Sequence, residues 1–164
     1  MGVIDFSAFT LFHVAISLMG IGSGFVVMSG LLNSKRLDGW TILFLITTAA
    51  TSVTGFLFPF HGVTPGIVVG ILSIVVLATA SLARYTLRLA GHWRTTYVVT
   101  ATLALYFNVF VLIVQLFQRV PHLKALAPTQ SEPPFQATQL VVLLLFVALG
   151  IRASTKFRHE VAKV

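Results

Sequence analysis

Phe9 to Leu32 reads FTLFHVAISLMGIGSGFVVMSGLL, and its only ionisable side chain is His13. A membrane-crossing helix needs about 20 mostly apolar residues, so this stretch is long enough to span unaided. It does not read as a cleavable leader. Met1 to Ser7 carries no Lys or Arg and contains Asp5, and the apolar run is longer than a signal core of about 7–15 residues. Four further runs follow, at about 40–60, 66–87, 97–117 and 137–153. Polar segments separate them: Asn33 to Gly39, His61 to Pro65, the stretch around Arg88 to Arg94, and Gln118 to Gln136 with four prolines. The expectation is an all-α integral membrane protein, a five-transmembrane-helix bundle forming one membrane domain over 1–164.

Composition supports this from another side. Of the 164 residues, 57% are hydrophobic and only 9% charged. An ordinary soluble domain has about 45–50% apolar and about 25% charged residues. So few charges cannot solvate a soluble surface of this size, which argues against a soluble enzyme, a coiled coil and a disordered tail. There is no cysteine, which removes thiolate zinc sites, cysteine-ligated clusters, disulfides and cysteine nucleophiles.

The formal net charge of +7 would suit nucleic acid if it were diffuse. It is not. Lys35, Arg36, Arg84, Arg88, Arg94, Arg152, Lys156, Arg158 and Lys163 all fall on one side of a five-span arrangement, leaving Arg119 and Lys124 on the other. By the positive-inside rule the N-terminus is outside and the C-terminus cytoplasmic. The expected surroundings are a lipid bilayer and either a second copy or a membrane-complex partner, with no nucleic acid.

Helices in lipid associate through small residues and buried polar groups. Gly20 and Gly24 form a GxxxG, as do Gly66 and Gly70. Packing within one chain is the first reading and dimerisation the alternative. The second run carries Thr47, Thr48, Thr51, Ser52 and Thr54. These hydroxyls can bond to their own helix, so the stripe reads as packing or as the lining of a cavity. Asn108 and Gln115 lie two turns apart on one face of the fourth run. Their amides need a partner helix, a ligand or water.

The polar groups gather toward the outer side. His13, His61, Gln115, Gln118, His122, Gln136 and Gln139 all fall there in this topology. An intramembrane ionisable group is a functional-site hypothesis by default, and His13 is the one set well inside a span. The candidate set is His13, His61, Asn108, Gln115 and Gln139. Three readings compete. His13 is a neutral structural residue bonded to an amide or a threonine. Or His13 and His61 hold haem b or a metal, since imidazole suits both. Or the cluster is a pocket for a quinone, lipid or small solute. On the inner side, Arg84, Tyr85, Arg88, His92, Trp93 and Arg94 read as interfacial anchors that also attract anionic headgroups. Asp5, Asp38, Glu132 and Glu160 all fall outside the runs. The spans thus offer no carboxylate for proton coupling or acid–base chemistry.

Three stretches, FHVAISLMGIGSG (12–24), TTAATSVTGFLFPF (47–60) and APTQSEPPF (127–135), resemble small polytopic inner-membrane proteins of bacteria, a family to which no function is assigned. The resemblance implies a bacterial inner membrane and carries no catalytic residue across. The expected function is that of a non-catalytic integral membrane protein, an accessory subunit or small-ligand binder with an outer-facing His/Asn/Gln pocket. The alternative is a membrane redox protein binding haem b or quinone near His13 and His61.

Overall fold

A computed structural model describes residues 6–59 and 62–157. Six helices follow in order: α1 (Phe6–Leu32), α2 (Asp38–Gly55), α3 (Pro65–Ser81), α4 (Trp93–Arg119), α5 (Pro121–Leu126) and α6 (Pro133–Lys156). A π-helical stretch, Leu82–Thr86, continues α3, and the described residues contain no strand. Four helical stretches are long and apolar enough to cross a membrane: Ala8–Leu32, Pro65–Thr86, Trp93–Arg119 and Pro133–Lys156. The chain is therefore an all-helical bundle of the kind a multi-pass membrane protein requires. α2 stands outside that group because Asp38, Thr41, Thr47, Thr48, Thr51, Ser52 and Thr54 dilute its apolar content. It nevertheless packs along α1 more extensively than any other pair of helices does.

Local chemistry sets the helix ends. The Thr64 hydroxyl accepts from the Ile67 N–H at the start of α3, with Pro65 in the first turn. Proline suits that position, since the first helical N–H groups have no intrahelical partner. The same device opens α5 at Pro121 and α6 at Pro133 and Pro134. Gln118 to Gln136 reads from sequence as one long loop, but the structure folds Pro121–Leu126 into a short helix within it. A first-turn proline followed by Leu, Lys, Ala and Leu accounts for that helix.

The turn from α1 to α2 is tight. Lys35 N–H donates to the Gly30 carbonyl at 2.7 Å. Leu37, left-handed at φ 36°, lays its side chain on Gly30, where an added Cβ would stand 2.7 Å from Leu37 Cδ1. Ser34, Arg88 and Leu89 are left-handed as well. Each such residue costs on the order of 1 kcal/mol, and these four lie at the same end of the bundle, which also carries most of the Lys and Arg. That end is called here the basic end.

Packing seals the basic end. Val27, Leu31, Phe44, Tyr97, Ala104, Leu105, Ala153 and Phe157 are all buried in one cluster. A smaller cluster at the far end, Ile113, Phe117 and Ala127, joins α4 to the α5–α6 connection. The Glu132 carboxylate caps that connection, accepting from Thr129 N–H, the Thr129 hydroxyl and Ser131 N–H. Slight desolvation pushes its pKa up, but these bonds outweigh it and hold the group below its ordinary 4.5. A lowered carboxylate contributes order that is present above the ordinary value and lost as pH falls through the lowered one. Limited proteolysis between Ala127 and Glu132 should therefore accelerate at pH values below 4.5, and Glu132→Gln should abolish the pH step.

Candidate functional site

The polar residues singled out in the sequence occupy distinct positions. His13 Nδ1 lies 2.7 Å from Thr54 Oγ1, joining α1 to α2. Asn108 Nδ2 donates to Thr48 Oγ1 at 3.0 Å, joining α4 to α2. Gln139 Nε2 donates to the Phe110 carbonyl at 3.3 Å, joining α6 to α4, while its buried Oε1 has no partner. Gln115 is exposed and accepts from Arg119 Nε at 3.0 Å. Gln118 donates to Gln130 at 3.4 Å and Gln136 to the Ser131 carbonyl at 2.8 Å. His61 lies outside the described residues. Among the described residues no three His, Asp or Glu side chains converge.

Gly20 presses against Thr47, Thr48 and Asn108, with an added Cβ 3.3 Å, 3.3 Å and 3.5 Å from their polar atoms. His13 stands seven residues before Gly20 on the same face of α1, and Gln115 seven residues after Asn108 on the same face of α4. α1 and α4 bring Gly20 beside Asn108 and Gly24 beside Leu105, so they run antiparallel. Along their own helices His13 and Gln115 each lie about 10 Å beyond the Gly20–Asn108 contact, toward the far end. On the other side of that contact the same faces are sealed by Gly24, Phe44, Ala104 and Leu105. Toward the far end His13 is half-buried and Gln115 exposed, so the polar and less buried groups follow the Asn108–Thr48 bond. Gln139 bonds to Phe110, on another face of α4 from Asn108. Two shallow hollows are present: about 440 Å³ beside Gln118, Lys124 and Gln130, and about 360 Å³ beside His92 and Arg94.

The threonine stripe of α2 is accommodated at little cost. Thr47, Thr51, Ser52 and Thr54 each donate to a carbonyl one turn back in their own helix. Their oxygens remain able to accept. Thr54 Oγ1 lies 2.7 Å from both the Ala50 carbonyl and His13 Nδ1, and the donor in the His13 contact is set by the imidazole tautomer. Aromatic rings pack beside the imidazole. Phe58 meets the His13 ring edge-on at 5.1 Å, and Phe9 lies 4.9 Å from Phe58.

At the basic end the structure corrects the reading of Arg84. It is no interfacial anchor. Only 2% of it is exposed, and Nη2 donates to the Arg36 carbonyl at 2.9 Å and to the Asp38 carboxylate. The guanidinium lies 5.0 Å from the Tyr97 ring centre and 5.9 Å from that of Tyr85. Nε and Nη1 are buried without a hydrogen-bond partner among the described residues. The ring contacts offset part of that cost through cation–π attraction. The sequence did carry a signal for this site. Ser73, Leu77 and Ala80 form the buried stripe of α3, and Arg84 continues it at heptad spacing, with Asp38 the one acid on that side within the described residues.

No family model matches the chain, and neither a curated protein nor a solved structure matches it.

Proposed function

We propose that the chain is a five-span protein of the bacterial inner membrane, N-terminus outside and C-terminus cytoplasmic, that binds a small lipophilic ligand at its outer end without catalysing its conversion. It acts alone or as an accessory subunit of a membrane complex. The observation that supports this reading is the line of polar groups toward the far end: the Asn108–Thr48 bond, the half-buried His13 and the exposed Gln115. A bundle built only for packing would close both ends with apolar side chains. The orientation rests on the nine Lys and Arg that a five-span arrangement puts on one side, and the packing of α2 along α1 supports counting it as the fifth span.

The second reading is a membrane redox protein holding haem b or a quinone near His13 and His61. One observation favours it. A metal-binding imidazole commonly bonds its other ring nitrogen to an oxygen, and His13 Nδ1 lies 2.7 Å from the Thr54 hydroxyl. Absorption spectroscopy of the detergent-purified chain after haem supplementation separates the two. The ligand-binding reading expects no Soret band. A band lost in His13→Ala would establish the redox reading in its place. A reporter fused after residue 164 should be active only in the cytoplasm, and periplasmic activity would overturn the topology.

A further inference from the structure

A cationic hollow stands at the basic end, apart from the polar groups of the far end. Within the described residues Asp38 is the one acid at the basic end, and Arg84 and Arg36 already engage it. The hollow, about 360 Å³, is lined by Gly91, His92, Arg94 and Thr95. These residues supply a guanidinium, an imidazole and a hydroxyl, all able to donate hydrogen bonds, and no carboxylate. The membrane-length stretch of α4 begins at Trp93, so the hollow lies at headgroup depth. Beyond Thr95 the same side of the helix turns apolar. Val99 and Leu103 follow one and two turns further into the span, and both are exposed.

We propose that this hollow holds the phosphate of an anionic phospholipid, with an acyl chain lying along Val99 and Leu103. Arg94 supplies the charge, since a guanidinium stays protonated and matches phosphate oxygens with a planar fork of donors. His92 and Thr95 supply further donors. Basic pockets at the headgroup level of a helical bundle suit anionic lipids for this reason. The apolar track is what favours a lipid over a soluble phosphate. One lipid molecule meets the cations with its headgroup and covers Val99 and Leu103 with its chain, whereas a free anion does only the first. The bundle thus recruits from the membrane the negative charge that its own basic end lacks. This site is separate from the far-end ligand reading and stands without it.

The test titrates the full-length chain in detergent with phosphatidylglycerol and with zwitterionic phosphatidylcholine, counting retained lipids by native mass spectrometry. Phosphatidylglycerol is expected to fill a saturable site about tenfold more tightly, the equivalent of about 1.4 kcal/mol. Arg94→Gln should abolish that preference. His92→Gln replaces an exposed side chain and should weaken phosphatidylglycerol about threefold, the loss of one modest hydrogen bond; it also carries the test if Arg94→Gln does not fold. Lys35→Gln, exposed at the same end and outside the hollow, should leave the preference unchanged. Equal binding of the two lipids overturns the proposal. So does an equal loss in Lys35→Gln and His92→Gln, which would mean a diffuse cationic surface. Inorganic phosphate added as a competitor separates the sources: displacement of the lipid by an equal concentration of phosphate would make this a soluble-anion site and overturn the lipid assignment.

Discussion

Asp38→Ala is expected to destabilise the bundle by about 3 kcal/mol or more, and Arg84→Met by only about 1 kcal/mol. The two residues form one ion pair, but they are not equally placed. The Asp38 side chain is 69% exposed and that of Arg84 1%. Removing the arginine leaves a carboxylate that water solvates. The arginine's aliphatic stem, buried with the rest of the side chain, is largely reproduced by methionine. Removing the carboxylate leaves a guanidinium buried with only the Arg36 carbonyl and two aromatic rings for company. Stranding a buried charge in this way costs about 3–5 kcal/mol, and loss of the acid in the first turn of α2 adds a few tenths to about 1 kcal/mol. The double variant should return close to Arg84→Met, because no charge is then stranded. Thermal unfolding in detergent of all three reads the cycle. Equal costs for the two single changes would mean that Arg84 reaches water.

Gly24→Ala is the second large effect. An added Cβ would stand 2.5 Å from Leu105 Cδ1 and 2.9 Å from Phe44 Cε2. Both side chains are 1% exposed and have nowhere to go. Overpacking of this kind costs about 1–3 kcal/mol, and the upper end is expected here because three helices meet at the point. Gly22, two residues away, has nothing within 4 Å of an added Cβ. Gly22→Ala should therefore stabilise α1 by about 0.5–1 kcal/mol through helix propensity alone. Gly20→Ala falls between them, since its 3.3 Å neighbours are the Thr47 and Thr48 hydroxyls. The first GxxxG thus packs within the chain. A change in oligomeric state on Gly24→Ala without loss of stability would overturn that assignment.

The long apolar runs were legible because lipid admits few alternatives to a helix. The hydroxyl stripe of α2 was legible for the same reason, and it lowers the hydropathy of that helix without breaking it. Proline positions announced the starts of α3 and α6, but not that α5 would form between them. The candidate cluster was legible in kind and only partly in place. Register along a single helix put Asn108 and Gln115 on one face of α4, yet Asn108 meets Thr48 of another helix while Gln115 is exposed and bonds only to Arg119 in its own. It could not say that Gln139 turns to another face of α4. Arg84 was misread because a basic residue near a span end usually snorkels. Only tertiary packing shows that the inward stripe of α3 runs on through the π turn and closes over it.

The Ser34 hydroxyl donates to the Lys156 carbonyl at 2.7 Å, and Phe157 is buried against Tyr97. These contacts tie the turn between α1 and α2 to the end of α6. During synthesis α1 and α2 emerge as a pair whose connecting turn cannot yet be tied. Arg84 arrives after α3 to meet Asp38, and Lys156 only with α6. The basic end is therefore begun early and completed only when α6 is made. A nascent protein halted before Lys156 would present that end unsealed, exposing Leu31 and Tyr97 to whatever protease or chaperone inspects unfinished membrane proteins.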